Sequence, residues 1–183
     1  MKTIKRITLT LFLLITLTIL FRSWLFNHLV TYKSIGTRNN YTLTDTALIT
    51  ELEKTLPQSP QINELTDRAL RFTATHLTFS GHQQSANPNQ LYYTRNAHCV
   101  GYASFYAASC NYLFKKYNLT QWQATPHIGQ LYLLGVNIHP YFNTPFFKDH
   151  DFVLLTNSAT NQTLAVDPSL YDYTFIKQIT YTP

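Results

Sequence analysis

Cysteine, glycine, methionine and charge are all scarce in this sequence of 183 residues, with two Cys, five Gly, one Met and 13% charged side chains. An ordinary soluble domain carries ~25% charge. Two cysteines make no disulfide framework. On a shared helix, Cys99 and Cys110 would lie ~16 Å apart along the axis, against the ~7 Å that a disulfide tolerates. Cysteine usage therefore leaves the redox compartment open. No cysteine lies near the N-terminus to carry a lipid, and no glycine loop is built to cradle the phosphates of a coenzyme, so no cofactor is expected. Lys and Arg number 14 against 9 acids, a net charge of +5. They are scattered, with no basic run interleaved with aromatics, which sets nucleic acid aside. His98, His127, His139 and His150 lack the short spacing of a zinc site, so no metal is expected. Low-complexity tracts and internal repeats are missing as well.

What is present is apolar and aromatic: 45% hydrophobic residues and 15% Phe, Trp and Tyr. The length suits one domain with a substantial core. Residues 1–6 form a short basic tail with Lys2, Lys5 and Arg6. Residues 7–21 follow without a charge, short of the ~20 that a span requires. No small-x-small cleavage site follows, whereas Arg22 can snorkel and Trp24 and Phe26 suit an interfacial belt. The reading is an uncleaved transmembrane signal anchor over residues 7–26, with residues 27–43 as linker and residues 44–183 as one domain outside the cytoplasm.

Within that domain, Thr44 is placed to cap a helix through Leu48, Leu52 and Leu56, ending at Pro57. Ser59 and Pro60 open a second helix with Ile62, Leu65, Ala69, Phe72 and His76 on one face. His76 on that stripe reads as a satisfied histidine at the edge of the core. Residues 82–95 have no apolar period and read as a long loop, either a cleft wall or a surface excursion. Cys99, Ala103, Tyr106, Ala107, Cys110, Leu113, Phe114 and Tyr117 then follow helical spacing. Strand material follows at 119–136, a packed loop at 139–148, and a hairpin over 150–167.

Cys99 would stand in the first turn of its helix, where unpaired N–H groups and the dipole favour a thiolate nucleophile. If 157–160 is a four-residue loop, Thr156 pairs with Asn161, and counting back sets His150 opposite Asp167. Opposed residues share a face, so an imidazole and a carboxylate would meet at the open end of the hairpin. Cys99, His150 and Asp167 would then be nucleophile, base and orienter.

These residues resemble the transglutaminase-like superfamily, within the broader papain-like class of cysteine enzymes. The likeness rests on a cysteine opening an alanine-rich helix (HCVGYASFYAA), a histidine opening a strand (HDFVLL) and an aspartate before proline (AVDPSLYD). It spans roughly residues 70–170, in the family's order. The chain departs from the pattern at Ala97, where the family often has glycine, and at Asp151-Phe152 after the histidine. The resemblance implies an α+β fold, with the cysteine-bearing helix packed on an antiparallel sheet. It also implies a catalytic Cys99-His150-Asp167 triad acting through a thioester on a peptide or protein amide, as hydrolase or transferase. An upstream side chain would help hold the oxyanion; Gln83, Gln84, Gln90, Tyr92 and Tyr93 are all candidates, with the Cys99 main-chain N–H as a second donor. The alternative is a non-catalytic domain of the same fold that binds peptide or glycan.

Overall fold

The run from Cys99 to Phe114 is apolar or small nearly all round, and a helix of that kind has to be enclosed. In the computed structural model, which describes residues 2–82, 85–144 and 147–182, other elements surround it on all sides. The chain begins with α1 (Lys2–Leu20) and α2 (Arg22–Leu29), followed by strand β1 (Val30–Thr37). Helices α3 (Thr46–Glu53) and α4 (Ile62–His76) come next, then β2 (Thr78–Phe79), α5 (Pro88–Thr94), β3 (Asn96–Ala97) and the central helix α6 (Cys99–Lys116). After it come β4 (Trp122–Leu133), β5 (Val136–Asn137), a 3-10 turn (His139–Tyr141), β6 (His150–Asn157), β7 (Thr163–Val166), α7 (Pro168–Thr174) and β8 (Tyr181–Thr182).

The architecture is α+β. One curled sheet runs in the order β7-β6-β4-β1-β8, with β5 folded back on β4. It is mixed rather than wholly antiparallel, because β8 lies parallel to β1. Strand β6 is buried on both faces. Val153 and Leu155 join the α6 core, while Phe152 and Leu154 pack with Tyr32, Ala165 and Ile179 on the other side.

Three expectations change at this level. Residues 27–43 do not form a linker: they hold the end of α2 and strand β1, which is hydrogen-bonded between β4 and β8. The apolar N-terminal run is not one straight helix over residues 7–26, since it bends by 73° between α1 and α2. Arg22 explains the bend: its Nε donates to the Thr174 carbonyl at 2.5 Å and its Nη1 to Ile19 at 2.9 Å. Asn27 Nδ2 donates to Gln178 O and Thr180 Oγ1 to Asn27 O, so α2 is tied along the domain surface. Among the described residues no single helix is long and apolar enough to cross a membrane, though the bent pair passes by length and composition.

The third change is in the hairpin. Thr156 pairs with Thr163 and Val153 with Val166, two residues away from the expected register. The Asn157 side chain sets this by accepting from the Ala159 and Thr160 N–H groups, which draws the loop one residue later. Asn161, in the left-handed region at φ 58°, closes it. A slip of two leaves every side chain on its original face, because strands alternate with period two.

Candidate active site

Cys99 opens α6, and the start of that helix is held from both sides. The His98 side chain N-caps it, its Nδ1 accepting from the Val100 N–H at 3.2 Å. Burial lowers the His98 pKa, consistent with that acceptor role. Immediately upstream, β3 pairs with β2. Gly101 permits this closeness, since a Cβ there would stand 2.8 Å from the Ala97 methyl.

His150 and Asp167 are brought together. His150 Nε2 lies 2.6 Å from Asp167 Oδ2, across a diagonal of the β6–β7 hairpin. Asp167 is completely buried and accepts five hydrogen bonds. Oδ2 takes His150 and the Tyr32 hydroxyl, and Oδ1 takes the Ser169 N–H, the Ser169 hydroxyl and the Leu170 N–H. Its position follows from local chemistry: Asp167 N-caps α7, with Pro168 at the first helical position. Burial alone would raise the Asp167 pKa. The His150 charge and hydrogen bond, with the Leu170 and Ser169 donors, outweigh it and hold the carboxyl below its ordinary range. Burial alone would lower His150; the charge and hydrogen bond of Asp167, then Asp151 and Asp149, raise it above the ordinary imidazole value. Since Asp167 takes Nε2, Nδ1 is the nitrogen left for other work. A quarter of the His150 side chain stays exposed, and the ring lines a cavity of about 520 Å3.

Cys99 belongs to the same cluster. The main-chain N–H groups of Asp151, one residue beyond His150, and of Val100 both favour its thiolate, which sets the sulfur near the strand that carries His150. A thiolate there would raise the pKa of both Tyr32 and Arg38. The thiol is nevertheless not predisposed to ionise. Cys99 is only 7% exposed. Burial pushes its pKa up to about 11, and the Asp151 and Asp167 carboxylates add to the effect against the two N–H groups. The helix-end effect expected from the sequence is thus outweighed by desolvation. Cys110, fully buried three turns along, is raised further by the same cause.

Among the described residues, the expected oxyanion side chains have other hydrogen-bond partners. Gln83 and Gln84 lie outside the described residues. Gln90, Tyr92 and Tyr93 fall on α5, a helix where a loop was expected, which buries Leu91. Gln90 Oε1 accepts from Ser85, the Tyr92 hydroxyl donates to Glu51 and the Tyr93 hydroxyl to Asp45. His76 is satisfied as expected, bonded to Tyr92 O at 2.7 Å and stacked on the Tyr92 ring.

Three residues of the cluster escaped the sequence reading. Tyr32, on β1, donates to Asp167 at 2.8 Å and meets the His150 ring edge-on at 6.0 Å between centroids. Asp151, fully buried beside the thiol, is held by Arg38 through two bonds of 2.9 and 3.1 Å. The alternation of Val30 and Tyr32 with Thr31 and Lys33 was the one local signal for the strand that carries Tyr32. Gly129 pairs with His150 where a Cβ would come within 2.6 Å of the His150 carbonyl and 2.7 Å of the Phe152 ring. Opposite it, Ile35 forms a bulge in β1. Comparison with family models, curated proteins and solved structures returns no significant match to this chain.

Proposed function

We propose that this chain is a cysteine-dependent acyl-transfer enzyme of transglutaminase-like, papain-like architecture. It is held at a membrane by its N-terminal helices, with the catalytic domain outside the cytoplasm. The observation that carries this reading is the 2.6 Å bond from His150 to a buried Asp167 that accepts five hydrogen bonds.

With the resting thiol raised to about 11, the reaction starts from a neutral pair. As the Cys99 sulfur bonds to the carbonyl carbon of an amide, its proton passes to His150 Nδ1. Asp167 stabilises the imidazolium that forms. The oxyanion faces the Cys99 N–H, at the head of the helix, where the first N–H groups have no intrahelical carbonyl to bond. Collapse breaks the C–N bond, and His150 returns the proton to the departing amine. Water or a second amine then attacks the thioester, His150 takes its proton, and the thiol is restored.

A second reading is supported by the low exposure and raised pKa of Cys99: a non-catalytic domain of this fold that binds peptide or glycan. Mass spectrometry after incubation with an acetyl ester separates the two. The enzyme reading calls for an acetyl group on Cys99, lost in Cys99→Ala and slowed about 10²–10⁴-fold in His150→Ala. Labelling that ignores His150, or that never reaches Cys99, would leave the binding reading in possession. For topology, the chain should stay in the membrane after a carbonate wash and its C-terminus should yield to external protease. Digestion only after lysis would place the domain inside.

A further inference from the structure

Two cavities with apolar walls run from the N-terminal helices to the candidate site. The first, of about 520 Å3, has His150 in its wall. The second, of about 610 Å3, is bounded by Thr18 and Ile19 in the last turn of α1. Phe26, Val30, Leu133 and Tyr173 line both, so the two adjoin. Each lies within the ~300–1,000 Å3 of ordinary small-molecule sites.

The walls make few polar demands. In the first cavity, the Tyr32 and Ser169 hydroxyls are directed at Asp167, whose two oxygens already accept five bonds. In the second, Arg22 is committed to the Thr174 and Ile19 carbonyls. A peptide laid along such walls would strand one N–H and one C=O per residue. An alkyl chain has none to strand.

The mouth beside α1 carries the second observation. Leu134 and Phe175 adopt left-handed backbone, at φ 50° and 58°, where Gly or Asn is usual in a hairpin turn or after a helix. Both are bulky, and both are exposed, at 72% and 63%. Leu133, Tyr173 and Phe175, all exposed, line the second cavity together with Thr18 and Ile19 of α1, and Leu134 and Val136 add exposed apolar surface in the turn that follows Leu133. Water gives no reason to place Leu and Phe at two such positions; an apolar surrounding does.

We propose that the adjoining cavities form one channel that takes a long alkyl chain from a lipid bilayer and brings its carbonyl end to the wall formed by His150 and Asp167, from which the candidate thiol is approached. The substrate of the acyl-transfer reading is then a lipid-borne acyl compound, and the inference rests on that reading for its chemistry but not for its binding. The step is the one already written: the acyl carbon bonds to sulfur, the bond to its former oxygen or nitrogen breaks, and the proton leaves with that group by way of His150.

The test uses the full chain in phosphatidylcholine nanodiscs. First, a phosphatidylcholine with a diazirine-bearing acyl chain is photolysed with wild type and with Cys99→Ala, and the cross-linked peptides are mapped. Cross-links on Phe26, Leu131 and Ile138 are expected in both proteins. Second, kcat/KM is measured for nitrophenyl esters from acetyl to dodecanoyl. It should climb by up to about fourfold per methylene until the channel is full, and Leu131→Trp should flatten that climb. Cross-links confined to α1 together with turnover indifferent to chain length would overturn the channel, and so would faster turnover of a Leu or Phe peptide than of an alkyl ester of equal size. The two readings fail separately. Channel cross-links without any ester turnover would remove the chemistry and keep the channel. Acetyl turnover through Cys99 without cross-links or length dependence would do the reverse.

Discussion

Replacing Tyr32 by Phe removes one oxygen from a residue outside the segment first read as the domain. The hydroxyl is buried and donates to a buried carboxylate at 2.8 Å, so solvent screening does little to weaken the bond. Hydrogen bonds to charged groups contribute about 1.5–3 kcal/mol. For a domain of this size, that corresponds to a fall in Tm of about 3–12 °C. The sign of the pH dependence follows from Asp167, whose folded pKa is depressed. Its stabilisation is fully present above the unfolded value of ~3.9 and is lost as pH falls through the lower folded value. In unfolding scans taken from pH 7 into acid, the gap between wild type and Tyr32→Phe should therefore persist through the unfolded value and narrow only as the pH passes the depressed folded value, where the acceptor becomes neutral. Acylation of Cys99 should slow only modestly at pH 7, since four of the five bonds to Asp167 remain. A cost below about 0.5 kcal/mol at pH 7, or a gap unchanged by acid, would refute the claim that Tyr32 supports an ionised Asp167.

Iodoacetamide alkylation of Cys99 should keep rising with pH beyond 9, as a thiol held at about 11 requires, while Cys110 stays unreacted in the folded chain. A plateau below pH 8 would instead reveal a preformed thiolate. Gly129→Ala should cost about 1–3 kcal/mol in chemical denaturation, because its methyl would meet the His150 carbonyl and the Phe152 ring; a neutral result would show that β6 shifts freely there. Arg38→Ala strips Asp151 of its partner and should cost roughly 3 kcal/mol, the low end of the range for breaking a buried pair, because Arg38 keeps a third of its side chain in solvent. Burial already raises the Asp151 pKa, so this loss should shrink as pH falls toward 4 and the acid is neutralised; a loss that grows in acid would contradict the pairing.

The parts legible in the sequence were those whose signal is local. Small and aromatic residues at helical spacing announced α6, because that helix is buried wherever it turns. The pairing of His150 with Asp167 survived a wrong register because an even slip preserves the face. Helices α5 and α7 were passed over although each begins with a side-chain cap and a proline, Asn87-Pro88 and Asp167-Pro168. From the sequence, residues 82–95 read as a loop and the hairpin extends no further than Asp167. Strand β1 was out of reach for a different reason: Thr31, Lys33 and Ser34 are polar, and what makes the segment a strand is its place between β4 and β8. The state of the thiol was hidden likewise. Helix position is written in the sequence, but the depth to which Cys99 is buried, and the two carboxylates around it, depend on the assembled fold.

Asp167 holds two posts at once, as the cap of α7 and as the partner of His150. This has a bearing on descent. If the proposed acyl transfer holds, a lineage that gave it up would release Cys99 and His150 to drift, whereas Asp167 would still be retained by the helix it starts and by Tyr32. An Asp-Pro pair at this point is thus a poor witness to activity in a relative. The histidine, which caps nothing and supports no helix, is the better one.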